Sequence, residues 1–208
     1  MPQAGTIKQS LRQQLRCKRR DLSNVQQKRA SLQLFSFLKR QPVLLRAKRI
    51  AGYLAQDGEI NIASVCAWAW QRNKKYFLPT LNNSSVQKKL SFLPVTPITR
   101  FKKNRFGIAE PNLTINHACP IWQLDIILLP LVGFDKQGGR LGMGGGFYDR
   151  SLSTLHQYPR KPLLIGVAHS CQEVDAVPKE EWDILMDAIV SDEGLVFVKR
   201  SLRHQFNK

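Results

Sequence analysis

Acidic residues are scarce in this chain. Its 208 residues carry 15 Asp and Glu against 32 Lys and Arg, a formal charge of +17, and such an excess favours polyanionic partners. Nucleic acid, a nucleotide and a small molecule with an acidic tail all fit that charge, which does not choose among them. Cysteine is scarce too. Cys17, Cys66, Cys119 and Cys171 lie far apart, without CxxC or Cys/His metal spacing, which argues against a zinc site and a disulfide framework. They read as free thiols of a reducing compartment. No apolar run approaches the ~20 residues of a membrane-crossing helix. The stretch MPQAGTIKQSLRQQLRCKRR has charge but no apolar core, unlike a secretory leader, so no membrane partner and a cytoplasmic location are expected. His117, His156, His169 and His204 stand in no catalytic spacing. The basic clusters at 16–20, 46–49, 102–105 and 199–203 lack a helix-turn-helix, zinc-finger or RNP aromatic signature, so solvated surface is favoured over nucleic-acid binding and no specific nucleic acid is expected.

What the chain does have is alternation of helical and strand patterns. Ile7, Leu11 and Leu15 recur one turn apart and predict a helix over Thr6–Arg20, with Lys8, Arg12 and Arg16 as a second stripe. A second helix is expected over Asn24–Arg40, with Ser23 as its N-cap. Arg49–Ala55, Lys75–Pro79, Leu90–Val95, Asp125–Leu129 and Leu163–Val167 read as strands, Ile62–Trp70 as a helix, and Ala188–Ser191 and Leu195–Val198 as short late strands. Pro94–Pro120 reads as a long irregular loop. The expected fold is α/β: one domain over 1–208, a three-layer sandwich with an open, mostly parallel (mixed) sheet flanked by helices. Its N-terminal helical segment, 6–40, should pack on that core.

Glycine is concentrated in one place. Six of the nine residues from Gly138 to Gly146 in GGRLGMGGGFYDR are glycine, between a buried-strand pattern (Asp125–Phe134) and a helix-compatible one (Phe147–Leu155). Such a loop exposes backbone N–H groups and admits an anion close to the main chain, so phosphate is the expected guest. It is neither GxxxxGK[ST] nor GxGxxG, because the last position counted from Gly142 and Gly144 is Phe147.

LPLVGFDKQGGRLGMGGGFYDR closely resembles the signature of the 5-formyltetrahydrofolate cyclo-ligase (methenyltetrahydrofolate synthetase) family. The resemblance extends to the K-xxx-R pair Lys8 and Arg12, to GEI at 58–60, FLP at 77–79, FGIAEP at 106–111 and Asp183. It implies ATP- and magnesium-dependent closure of 5-formyltetrahydrofolate, with or without a polyglutamate tail, to the 5,10-methenyl compound, with release of ADP and phosphate. Lys8, Arg12, Arg140 and the run Leu141, Gly142, Met143, Gly144, Gly145, Gly146, Phe147 and Tyr148 are implied in ATP binding. Glu59 and Met143–Phe147 are implied in folate binding, Asp149 and Asp183 in magnesium binding, and Arg140 and Tyr148 in catalysis.

Each has an ordinary reading beside it. Asp149 can complement a helix dipole, Asp183 can belong to a solvated acidic helix start, and Lys8 and Arg12 can form an exposed face. Glu59 sits in turn chemistry, and Phe147 or Tyr148 can pack the helix on the sheet rather than stack on a heterocycle. Arg150 divides evenly between surface and structural roles. Family relatives often carry a basic residue within the glycines, where Met143 and Gly145 are neutral; Arg140 or a cation from elsewhere in the chain is expected in its place. Two other classes compete: a basic nucleic-acid module, which leaves the glycine loop unexplained, and a sugar-phosphate isomerase or acyl-CoA-type transferase, which would need no ATP.

Overall fold

The computed structural model describes residues 4–81, 89–180 and 183–198. Helix α1 runs Ala4–Arg20, α2 Asn24–Leu38 and a short α3 Pro42–Arg46. Ser23 caps α2 as expected. Its hydroxyl accepts from the Gln26 N–H at 3.3 Å while the Gln26 side chain accepts from the Ser23 N–H at 2.9 Å, a reciprocal capping box. Ala30, Leu34 and Leu38, one turn apart, form the buried face of α2.

The main sheet has seven strands in the order β11-β10-β9-β6-β1-β2-β3. These are β1 Arg49–Ala51, β2 Lys75–Leu81, β3 Leu90–Val95, β6 Ile126–Pro130, β9 Leu163–Val167, β10 Ala188–Val190 and β11 Leu195–Phe197. The five central strands are parallel, and the edge strands β3 and β11 run antiparallel to their neighbours. Helix α4, Ala63–Gln71, connects β1 to β2. This is the expected mixed open sheet of an α/β domain.

Alternation along the strands sorts two cores. Ile50, Ile126, Leu128, Ile165 and Val167 face α2 and α4, with Leu34, Leu38, Val65 and Ala69. Ala51, Ile127, Leu129 and Leu164 face Leu152 and Leu155, which belong to α5 (Phe147–Leu152) and the 3-10 turn after it. Strands buried on both faces read as continuous apolar runs, which is why IILL in β6 was legible. Truncating fully buried Leu128 to alanine would cost about 2–5 kcal/mol.

Several boundaries differ from expectation. Strand β1 ends at Ala51 rather than Ala55; Gly52 adds one more bond to β2, its N–H donating to the Phe77 carbonyl at 3.0 Å, and a side chain there would overlap the Tyr76 hydroxyl. Helix α5 stops at Leu152 and tightens to 3-10 over Ser153–Gln157, short of the single helix expected to Leu155. The 94–120 segment is not wholly irregular. It contains a hairpin of β4 (Phe101–Lys103) and β5 (Ala109–Pro111), tied to β2 by buried Glu110. That carboxylate accepts from Thr80 Oγ1 at 2.9 Å, the Leu81 N–H at 2.8 Å and Asn104 Nδ2 at 2.8 Å.

Candidate functional site

In open parallel sheets, ligands bind beyond the carboxyl ends of the strands, and the chain's unusual residues gather there. After β6, a small hairpin of β7 (Gly133–Phe134) and β8 (Arg140–Leu141) leads into the glycine loop. Asp135 fixes its turn. Its carboxylate accepts the N–H groups of Gln137 at 3.0 Å, Gly139 at 2.8 Å and Val177 at 2.9 Å. Burial opposes ionisation of this group, but the three N–H donors and nearby Lys179 outweigh it and lower its pKa. Gly144 (φ +89°) and Gly146 (φ +61°) then adopt left-handed conformations, and Gly146 directly precedes α5.

Helix α1 lies against this loop. Leu11 and Leu15 pack with Val132, Leu141, Val174 and Val177, which turns the Lys8–Arg12 stripe toward the glycines. Arg12 Nε donates to the Gly142 carbonyl at 2.8 Å. Lys8 Nζ lies 3.2 Å from Asp183 Oδ2 and 3.4 Å from Glu180 Oε1. Residues separated by 130 and 175 positions thus share one site. Arg140, its side chain only 7% exposed, ion-pairs with Asp149 and donates through Nε to the Ile184 carbonyl at 3.0 Å. One guanidinium thereby joins Asp149 to the segment that bears Asp183. Arg150 donates to the Gly145 carbonyl and lies over the Phe147 ring at 5.6 Å, so it braces the loop from within.

Glu59 stands in the loop after β1, with its side chain 12% exposed. It accepts from the Gln56 N–H at 3.0 Å and lies 3.9 Å from Arg19 Nη2. Burial raises its pKa, the Gln56 bond and Arg19 lower it, and Asp57 raises it. Tyr148 is within the field of both Glu59 and Arg140; burial and the Glu59 charge push its phenol well up while Arg140 pulls it down. Its ring packs against the core cluster that holds Leu152 and Leu155.

Not every implied residue offers a side chain. Leu141 is 2% exposed and committed to the α1 contact, so only its backbone can meet a ligand. Phe147 packs edge-on against Phe106 of the hairpin, with centroids 6.2 Å apart, which favours packing over stacking for that ring. Met143 is 54% exposed. Among the described residues no group of three His, Cys, Asp or Glu forms a metal cage.

Sequence reasoning missed the anchor of this arrangement. Arg19 is fully buried. It donates to the Asp57 carbonyl and carboxylate, both at 2.8 Å, and to the Leu131 carbonyl at 3.2 Å. Arg16 and Arg20 converge on the same carboxylate. Burial works against ionisation of Asp57, but hydrogen bonds from the three arginines hold its pKa at about 2. This hub pins α1 to the loop that carries Glu59. The signal present in the sequence was an Asp-Gly turn, whose Asp57 and Gly58 both take positive φ.

The sequence pattern of the 5-formyltetrahydrofolate cyclo-ligase family matches residues 4–192. The chain belongs to that family. It is 40% identical over 185 residues to the 5-formyltetrahydrofolate cyclo-ligase of Haemophilus influenzae, covering 88% of this chain and 97% of the relative. It is 38% identical over 177 residues to the Escherichia coli K12 cyclo-ligase, covering 85% and 96%. Its fold matches the NMR structure of Aquifex aeolicus 5,10-methenyltetrahydrofolate synthetase with a TM-score of 0.79, at 30% identity and 93% coverage of each chain. The Mycoplasma pneumoniae synthetase matches with a TM-score of 0.68 at 27% identity, covering 89% of this chain and 98% of that one.

Proposed function

We propose that this cyclo-ligase uses ATP and magnesium to convert 5-formyltetrahydrofolate to 5,10-methenyltetrahydrofolate, with phosphorylation of the formyl oxygen as the activating step. The observation that carries the reading is the meeting of Arg12 with the glycine loop and of Lys8 with Asp183, while Arg19 of the same helix holds the loop in which Glu59 is buried. One region is rich in cations and the other is built on a carboxylate, and helix α1 is bonded to both.

The chemistry explains why both are needed. A formyl amide carbon is a poor electrophile and its oxygen a poor leaving group. The formyl oxygen attacks the γ-phosphorus, an O–P bond forms, and ADP departs. N10 then attacks the activated carbon, the C–O bond breaks with its electrons on the leaving phosphate, and N10 loses its proton. The methenyl cation remains, and no covalent enzyme intermediate is required.

The chain's residues position and neutralise. Loop amides from Gly142 to Gly146, with Lys8, Arg12 and Arg140, hold phosphates; Leu141 contributes backbone only. Glu59 accepts paired N–H donors from the pterin ring, and Met143 and Phe147 border it. Tyr148, kept neutral by burial, donates a hydrogen bond where the formyl oxygen meets phosphate. Arg140 compensates charge on the transferred group. Magnesium fits the donor set, because it takes hard oxygens and is commonly held by one or two carboxylates plus phosphate oxygens. Asp149 and Asp183 would hold it, and each now bears a cation, Arg140 and Lys8, that can turn to phosphate instead. Bound there, the metal supplies charge neutralisation on the phosphate oxygens.

The test is an absorbance assay for methenyltetrahydrofolate from 5-formyltetrahydrofolate, with ATP and magnesium each omitted in turn. Product should require both. Product without ATP would overturn the proposal.

A further inference from the structure

The end of the sheet opposite the glycine loop carries its own chemistry. The parallel strands β1, β2, β6 and β9 all begin there, and their first residues gather positive charge. Lys48 and Arg49 enter β1, Lys75 stands in register with Arg49 at the start of β2, and Arg160 and Lys161 precede β9. Among the described residues, Asp125 and Asp187 lie on this edge, and both are engaged. Asp125 accepts the Lys48 and Arg49 N–H groups at 2.8 Å and pairs with Arg160. Asp187 accepts the Leu164 N–H at 2.9 Å.

A cleft of about 640 Å³ opens on this edge, lined by Arg49, Trp122, Gln123, Tyr158, Pro159 and Arg160. Trp122 and Tyr158 stack with centroids 5.6 Å apart and planes 17° from parallel. Trp122 remains 37% exposed, and the Arg160 side chain is 70% exposed despite its ion pair. This supplies the feature that the basic clusters lacked in the sequence, an aromatic platform among cations. Charge alone would take any polyanion. A flat exposed ring flanked by guanidinium groups selects an anion that also presents a free π-face.

We propose that this edge binds single-stranded nucleic acid, with one base on the exposed face of the Trp122–Tyr158 pair and the phosphates following Arg49, Lys75 and Arg160. A duplex hides its base faces, and inorganic polyphosphate has none. The surface shares no residue with the cyclo-ligase site, so binding here is separable from turnover.

Fluorescence anisotropy of the full chain with a labelled oligouridylate of about twelve nucleotides tests this, because single-strand sites commonly span several to over a dozen nucleotides. The duplex of the same length should bind at least tenfold more weakly, and affinity should fall linearly in log–log plots against salt. Trp122→Ala should weaken the single strand by about fivefold or more, the lower end of stacking on one base, while Trp122→Phe restores most of it. Lys75→Ala should lower the salt slope, and cyclo-ligase turnover should be unchanged in all three variants. Equal affinity for strand and duplex, full competition by inorganic polyphosphate at matched charge, or wild-type affinity in Trp122→Ala would each overturn the proposal.

Discussion

Replacing Arg12 with methionine keeps the stem along α1 and removes the guanidinium that faces the glycine loop. Its Nε donates to the Gly142 carbonyl at 2.8 Å, and a methyl group at Gly144 would lie 3.5 Å from its Cζ. The guanidinium thus lies against the loop, with Nε holding the Gly142 carbonyl. A hydrogen bond to a charged group is worth about 1.5–3 kcal/mol, which corresponds to about tenfold to 150-fold in affinity. Because Arg12 is half-exposed, solvent screening moves the expected loss to the lower part of that range, about tenfold to thirtyfold. Isothermal titration with a non-hydrolysable ATP analogue, and separately with 5-formyltetrahydrofolate, reads the effect. ATP affinity should fall by that factor while folate affinity changes less than about twofold, and Glu59→Gln should give the reverse pattern. Wild-type ATP affinity in Arg12→Met, or a Glu59→Gln variant that loses ATP and keeps folate, would refute the assignment of the two regions.

Asp149→Asn keeps size and hydrogen bonding but removes the charge that pairs with Arg140; turnover should largely vanish while ligand-free thermal melting changes little, and ordinary turnover at ordinary magnesium would contradict the metal assignment. Gly146→Ala places a side chain on a backbone with φ +61° beside the Arg150 guanidinium, which should cost about 1 kcal/mol or more and weaken ATP binding; Gly144→Ala, at φ +89°, should act alike. If both bind ATP normally, the loop is structural only. The third concerns Arg19, which faces Glu59 together with Asp57, Tyr53 and Tyr148. Arg19 lowers the Glu59 pKa against burial, so Arg19→Met should raise it and shift the acid limb of folate affinity to higher pH; an unshifted limb would show that Arg19 is scaffolding alone.

The central strands were legible because each is buried on both faces and therefore apolar throughout, as in IILLP of β6 and LLIGV of β9. The glycine loop was legible because its composition has no use in a core. Contacts between distant segments were not. Arg19 sits in a basic run indistinguishable from solvated surface, and its burial depends on an aspartate 38 residues away. Glu110 reads as a polar loop residue until Thr80 and the Leu81 N–H are found opposite it. Likewise, Asp149 and Asp183 stood out only through the family resemblance, and the cations that sit on them, Arg140 and Lys8, are fixed by tertiary packing. Period and composition report burial one element at a time; a paired charge becomes visible only with its partner.

The most direct test of the account follows the formyl oxygen. With 5-formyltetrahydrofolate carrying oxygen-18 in its formyl group, attack on the γ-phosphorus and later C–O cleavage leave that oxygen in the released phosphate. Mass spectrometry of the phosphate from a turnover reaction should find the label there, one atom per methenyltetrahydrofolate formed. Unlabelled phosphate, with the oxygen-18 in water instead, would contradict phosphorylation of the substrate.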